Sequence, residues 1–79
     1  MIPLYGFVAG DALGVVVLMQ DHETVADLAL RLQHAAAVRV APRPRVSVVA
    51  HGVTLDRDAT IKGAGLVALD RVDVVPEAP

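Results

Sequence analysis

Aliphatic residues recur in short runs near both ends of the chain, a pattern that is typical of β-strands. Ile2 to Ala9 and Val15 to Met19 are both rich in strand-forming residues, and turn residues from Gly10 to Gly14 separate them. Two such runs joined by a short loop that contains glycine predict a β-hairpin. Arg45 to Ala50 and Asp70 to Val75 predict two further strands of the same kind.

The middle of the chain predicts one amphipathic helix over residues 24–37. Apolar residues recur there at spacings of three and four, as one buried helix face requires. Thr24 has the side chain of an N-cap, and Asp27 lies three residues later, which is a short-chain form of the capping box. We expect the helix to end before Pro42, because a proline drives the residue before it out of helical geometry.

The predicted order is β-β-α-β-(short β)-β, with the short strand at Val53 to Leu55, in one domain over residues 1–79. Neither a hairpin nor a single helix buries its apolar face alone. The economical arrangement packs the helix across one face of a mixed sheet of four to five strands, with the first and last strands parallel at its centre. This is the α+β class and the β-grasp (ubiquitin-like) fold.

Strand alternation divides the aliphatic residues between the two faces of this sheet. One set is expected to face the helix: Val15, Val17, Met19, Val46, Val48, Val72 and Val74. A second set must then point outward: Val16, Leu18, Val49 and Val75. We interpret this outer set as a surface for binding another protein. Two alternatives are that these residues only reflect β propensity, or that the register is shifted by one residue.

The composition excludes several classes of function. Hydrophobic residues make up 54% of the chain, aromatic residues 3%, and the formal net charge is -2. This balance does not favour nucleic acid or an anionic membrane as a partner. The absence of cysteine excludes disulfides and thiolate metal sites, and fits a cytoplasmic location. We recognise no signal peptide and no apolar run long enough to cross a bilayer.

No group of residues predicts catalysis, a cofactor or a metal. His22, His34 and His51 lack the spacing of metal ligands, and surface histidines are the simpler interpretation. Ser47 is the single serine and is predicted on a strand, not on a nucleophile turn. The glycines form no phosphate-binding loop. We therefore expect a protein without catalytic residues of its own.

A short basic segment follows the helix. Arg39, Arg43 and Arg45 lie within seven residues that also contain Pro42. One interpretation is a rigid basic edge that binds carboxylates of a partner protein, which arginine does with two parallel hydrogen bonds. The other is a solvated loop that balances the acidic residues at the helix start.

The second half of the chain resembles ubiquitin. The resemblance rests on Gly52 to Ile61, then Gly65-Leu66, then the alternating strand from Asp70 to Val75. It implies that Val49 and Val75 occupy the positions of ubiquitin's apolar binding patch. The chain has no Gly-Gly and ends Val75-Pro-Glu-Ala-Pro79, which argues against a modifier or sulfur carrier.

The whole chain also resembles the small gamma subunit of bacterial multicomponent di-iron monooxygenases of the toluene monooxygenase type. The matching features are the valine-rich hairpin, the alanine-rich helix, Val40 to Arg43, Arg57 to Ile61 and Asp73 to Val75. The resemblance implies a structural subunit that clasps the large subunit carrying the di-iron centre and contributes no metal ligand. A freestanding ubiquitin-like interaction module, for example one associated with a secretion system, is the alternative.

Overall fold

The computed structural model describes residues 1–77, so Ala78 and Pro79, which belong to the tail discussed above, lie outside the described residues. The element order matches the prediction. The helix and strands, in chain order, are β1 Ile2–Val8, β2 Val15–Met19, α1 Val25–Ala36, β3 Val46–Ala50, β4 Val53–Thr54 and β5 Arg71–Pro76.

All five strands form one mixed sheet in the order β2-β1-β5-β3-β4. β1 and β5 are parallel neighbours at its centre, and the other pairs are antiparallel. The helix α1 packs across one face, which confirms the predicted β-grasp fold. The last strand, predicted over Asp70 to Val75, runs over Arg71–Pro76 in the structure, and Pro76 lies opposite Val46.

The start of α1 is held by side-chain and backbone hydrogen bonds that satisfy its first four N–H groups. Thr24 is the N-cap: its hydroxyl accepts from the Asp27 N–H, and the Asp27 carboxylate accepts from the Thr24 N–H. The Val25 N–H donates to the Ala59 carbonyl and the Ala26 N–H to the Arg57 carbonyl. The Leu28 N–H closes the first helical turn on Thr24. The loop after β4 is thereby fixed against the helix start.

The core lies between the sheet and α1. The helix contributes Val25, Leu28, Leu32 and Ala36 to it, all essentially inaccessible to solvent. The predicted inward set is placed as expected. Val17, Met19, Val48, Val72 and Val74 are buried, while Val15 and Val46 at the sheet margins are half-buried and pack against the core.

Gly6 allows the helix to lie directly on the central strand β1. A Cβ atom at Gly6 would lie 2.3 Å from the Cδ2 atom of Leu32, a distance that real structures do not show. Because Leu32 is fully buried, it has no free space into which to move. The residues flanking Gly6 on the helix side of β1 are Leu4 and Val8, both buried.

No helix in residues 1–77 is long and apolar enough to cross a membrane. The cytoplasmic location stays a prediction.

We predict that Thr24→Ala lowers the free energy of unfolding by about 1 kcal/mol, because it removes the hydroxyl that caps α1. Thr24→Ser retains that hydroxyl and should keep most of the stability. Urea unfolding followed by circular dichroism measures both. Equal midpoints for Thr24→Ala and the parent chain would show that the cap does not contribute.

Candidate interaction site

The described residues hold no cluster of side chains that could bind a metal ion. Within residues 1–77 no three His, Asp or Glu side chains converge on a point where a metal ion could bind. His22, His34 and His51 are exposed and lie in three separate places. Ser47 is half-buried on β3, as the sequence predicts for its place on a strand. The remaining candidate is the face of the sheet that the helix leaves uncovered.

We call this the outer face. Side chains from four adjacent strands point into it, and the strand register sets their rows. Tyr5 pairs with Val16 on β2 and with Arg71 on β5, while Pro3 pairs with Leu18. Val16 and Leu18 are 58% and 54% exposed, so their orientation follows the prediction.

Val49 and Val75 also lie on the outer face, but they are half-buried. Asp73 of β5 pairs with Phe7 on one side and with Val49 on the other. A charged residue therefore lies between these two valines and the apolar residues of β1 and β2. The outer set of four aliphatic residues is divided into two parts.

Sequence reasoning missed the aromatic residues of the outer face. The Tyr5 and Phe7 rings meet edge to face, with centroids 4.8 Å apart and planes inclined at 64°. The Arg71 guanidinium carbon lies 4.2 Å from the centre of the Phe7 ring, and Arg71 also pairs with Asp73 at 3.1 Å. The signal was present in the sequence: if Leu4 and Val8 point inward, Tyr5 and Phe7 must point outward.

The Tyr5 ring is held in place by a glycine of the hairpin loop. A Cβ atom at Gly14 would lie 2.4 Å from Cε1 of the Tyr5 ring, so this glycine allows the ring to lie against the loop backbone. The ring also contacts Phe7, and Tyr5 remains 40% exposed. An aromatic side chain that already packs against its neighbours has less conformational entropy to lose when a partner covers it.

Within the basic segment, Arg39 forms an ion pair with another part of the fold, whereas Arg43 and Arg45 form none within residues 1–77. The Arg39 Nε and Nη2 atoms donate to the Asp11 carboxylate over 2.8–3.0 Å, which ties the segment to the loop between β1 and β2. Hydrogen bonds from Arg39 and from the Leu13 N–H lower the pKa of Asp11 below its ordinary value, and the pair raises the pKa of Arg39. Arg39 therefore stabilises the fold and differs in role from the other two arginines.

A buried glutamine fixes the middle of the basic segment. The Gln33 side chain, 7% exposed, accepts from the Arg43 N–H at 2.7 Å and donates to the Arg43 carbonyl at 3.2 Å. This contact could not be predicted from the sequence, because a lone glutamine on a helix is usually solvated. The side chains of Arg43 and Arg45 are exposed and form no ion pair within residues 1–77. Pro42 lies beside them and is also exposed.

The acidic helix start is balanced from within the same helix. The Arg31 guanidinium pairs with Glu23 at 2.7 Å and donates to the Leu18 carbonyl at 2.9 Å. Hydrogen bonds from Arg31 and from the Gln20 N–H lower the pKa of Glu23. Arg43 and Arg45 are therefore not paired with Glu23, and binding of a partner by the basic segment stays a prediction.

Comparison with known proteins identifies a protein family and the same fold. A family model for Toluene-4-monooxygenase system protein B (TmoB) matches residues 1–75. A chain of the solved toluene 4-monooxygenase HD complex with the inhibitor 4-bromobenzoate is 28% identical with a TM-score of 0.87, and the match covers 96% of this chain and 98% of that one. The ubiquitin of Caldiarchaeum subterraneum is 14% identical with a TM-score of 0.76, over 99% and 95% of the two chains, and shows the fold alone. No curated protein matches by sequence.

We predict that Asp11→Asn flattens the acid dependence of stability. The lowered pKa of Asp11 means that its ion pair stabilises the fold above the ordinary value of 3.8, and that this contribution is lost as the pH falls through the folded-state pKa. The parent chain should therefore lose stability more steeply than Asp11→Asn as the pH falls from about 5 to about 2. Urea unfolding at several pH values measures the slopes.

The control for this experiment is Asp21→Asn. It makes the same change of charge at an exposed residue that forms no ion pair within residues 1–77. Its slope should equal that of the parent chain. If Asp11→Asn also kept the parent slope, the ion pair with Arg39 would not contribute to stability in solution.

Proposed function

Because the chain belongs to the family of toluene-4-monooxygenase system protein B, and is therefore a small accessory subunit of a multicomponent monooxygenase, we propose that it docks through its outer face on the large hydroxylase subunit. That subunit carries the di-iron centre, and this chain supplies no catalytic group to it. The family membership takes precedence over the alternative of a freestanding interaction module.

The observation that supports this proposal best is the apolar surface on β1 and β2. Tyr5, Val16 and Leu18 lie side by side at 40%, 58% and 54% exposure, on a face that no other element of residues 1–77 covers. Burial of apolar area is the main favourable term in protein association. Tyrosine and arginine are also enriched among residues that dominate binding energy, and Arg71 borders the aromatic pair.

Five of the nine Asp and Glu side chains hold nearby backbone. Each accepts a hydrogen bond from a backbone N–H group: Asp11 from Leu13, Glu23 from Gln20, Asp27 from Thr24, Asp56 from Asp58 and Asp70 from Val67. These groups cap turns and the helix start, so their role is structural. This supports an accessory subunit that leaves the chemistry to its partner.

Charge complementarity contributes a second contact. Pro42, Arg43 and Arg45 form a basic edge whose backbone is fixed to the helix through Gln33. An arginine on a fixed backbone loses less entropy on binding than one on a mobile loop. We propose that carboxylates at the margin of the large subunit pair with this edge.

We predict that Leu18→Asp weakens assembly with the large hydroxylase subunit at least about tenfold, or about 1.4 kcal/mol. A carboxylate there would be buried without a partner in the interface. The isolated domain should remain folded, because Leu18 is 54% exposed. Co-purification and titration by calorimetry measure assembly, while thermal unfolding checks the fold.

Val38→Asp is the matched control, since Val38 is 86% exposed after the helix and away from the outer face. It should leave assembly unchanged. Normal assembly by Leu18→Asp would remove the outer face from the interface.

We predict that Arg45→Glu slows association with the large subunit and reduces its dependence on salt. A charge at the rim of an interface mainly changes the association rate. Stopped-flow or biosensor kinetics at two salt concentrations measure both effects. Lys62→Glu, which makes the same charge change at an exposed residue of another loop, should leave the rate near that of the parent chain. Equal rates for the two variants would exclude the basic edge from docking.

A further inference from the structure

A groove of about 380 Å³ lies between α1 and β3, on the helix side of the sheet. It is therefore separate from the outer face. Val25 and Ala29 of the helix and Val48 of β3 line it with buried apolar side chains. Leu30, which is 69% exposed, stands at its helix side. Apolar side chains of a ligand would find contacts along this floor.

At the edge of β3 beside the groove, Val46 is the residue without a strand partner within residues 1–77. The Leu55 N–H donates to the Val48 carbonyl at 2.8 Å, so the backbone groups of Val48 point away from β5. Strand alternation directs the N–H and carbonyl of Val46 the same way. Strand β4 pairs only with Val49 and Ala50, so within residues 1–77 no strand lies opposite Val46 on that side.

The position of Pro76 agrees with this orientation. Pro76 lies opposite Val46 on β5 and has no N–H to donate. The Glu77 N–H instead donates to the carbonyl of Arg45, the residue immediately before β3. The polar backbone groups of Val46 are thus directed to the groove side, where an added strand would pair with them.

The rim of the groove is basic. Arg43 and Arg57 both line it, and neither forms an ion pair within residues 1–77. Glu77 is the one carboxylate among the described residues that line it. The two arginines favour acidic residues in a ligand, while Glu77 opposes them.

We propose that this groove binds an extended polypeptide segment of a partner protein, with aliphatic residues in its centre and acidic residues at its ends. The segment adds as a strand to the open edge of β3. Its aliphatic side chains rest on the floor beside α1, and its carboxylates pair with Arg43 and Arg57. A second copy of this chain fits poorly, because edge-to-edge pairing of two β3 strands would bring the arginines of both copies together.

This inference goes beyond the proposed function and does not depend on it. The outer face and the groove lie on opposite sides of the sheet, so Leu18→Asp leaves the groove intact. Arg43 belongs both to the groove and to the basic edge, whereas Arg57 lines the groove alone, so Arg57→Glu is the variant that separates the two proposals. Failure of outer-face docking would leave the groove unaffected, and the reverse also holds.

The test uses the full chain and a synthetic peptide, Asp-Val-Ile-Val-Ile-Asp, blocked at both termini. Titration followed by amide chemical shifts in NMR should move the signals of Val46, Val48 and Leu55 and of the helix residues Ala29 and Leu30. Signals of the outer face should stay in place. A peptide with lysine in place of both aspartates should bind at least about tenfold more weakly, because it repels the rim.

Three variants test the charges. Arg43→Glu and Arg57→Glu should each weaken peptide binding several-fold, while Glu77→Gln should strengthen it. Lys62→Glu is the control of equal charge and should bind like the parent chain. Peptides that are N-methylated at alternate amides test strand addition: methylation in one register should abolish binding, and in the other register it should have little effect.

Several results would overturn the proposal. These are an absence of shifts at about 1 mM peptide, shifts centred on the outer face, and equal binding of the acidic and lysine peptides. Equal affinity of both N-methylated peptides would exclude strand addition. A dimer of the chain that forms through Val46, seen by sedimentation and by concentration-dependent shifts, would assign the groove to a second copy instead.

Discussion

The close contact between Gly6 and Leu32 determines which face of the sheet is buried. Without a side chain at Gly6, the central strand β1 allows Leu32 to pack against its backbone, and α1 lies directly on the sheet. Gly6 pairs with Val15 on one neighbouring strand and with Val72 on the other, so both of these residues face the helix too. The residues that alternate with these along each strand must then point away from the helix. The outer face is therefore a consequence of helix packing at one position.

Much of this arrangement could be predicted from periodicity. The alternation in Val15 to Met19 and in Arg71 to Val75 gave the correct orientation of both strands, and Thr24 with Asp27 gave the correct start of the helix. The aromatic residues of β1 were missed because glycine at its central inward position carries no hydrophobic signal. The pairing of Arg39 with Asp11 was not accessible, since it joins residues far apart in the chain and depends on the finished fold. Gln33 was missed because its burial comes from one loop contact, not from its helix position.

The polar residues of the domain fall into two groups with different roles. Asp11 pairs with Arg39 and Glu23 pairs with Arg31, while Gln33 bonds to the backbone of Arg43. These contacts hold loops and the helix in position. Arg43, Arg45 and Arg57 point outward and make no ion pair within residues 1–77. A small domain has limited apolar area to bury, so it uses local hydrogen bonds to fix its loops. Among these bonds, those of Gln33 also fix the backbone of Arg43.

The position of Tyr5 has a spectroscopic consequence. The chain contains one tyrosine and no tryptophan, and the tyrosine lies on the surface against Phe7, not in the aliphatic core. Near-ultraviolet absorption and intrinsic fluorescence therefore report on the environment of the outer face alone. Covering this ring with a protein would change its emission without any attached dye, whereas repacking of the valine- and leucine-rich interior would leave that signal almost unchanged.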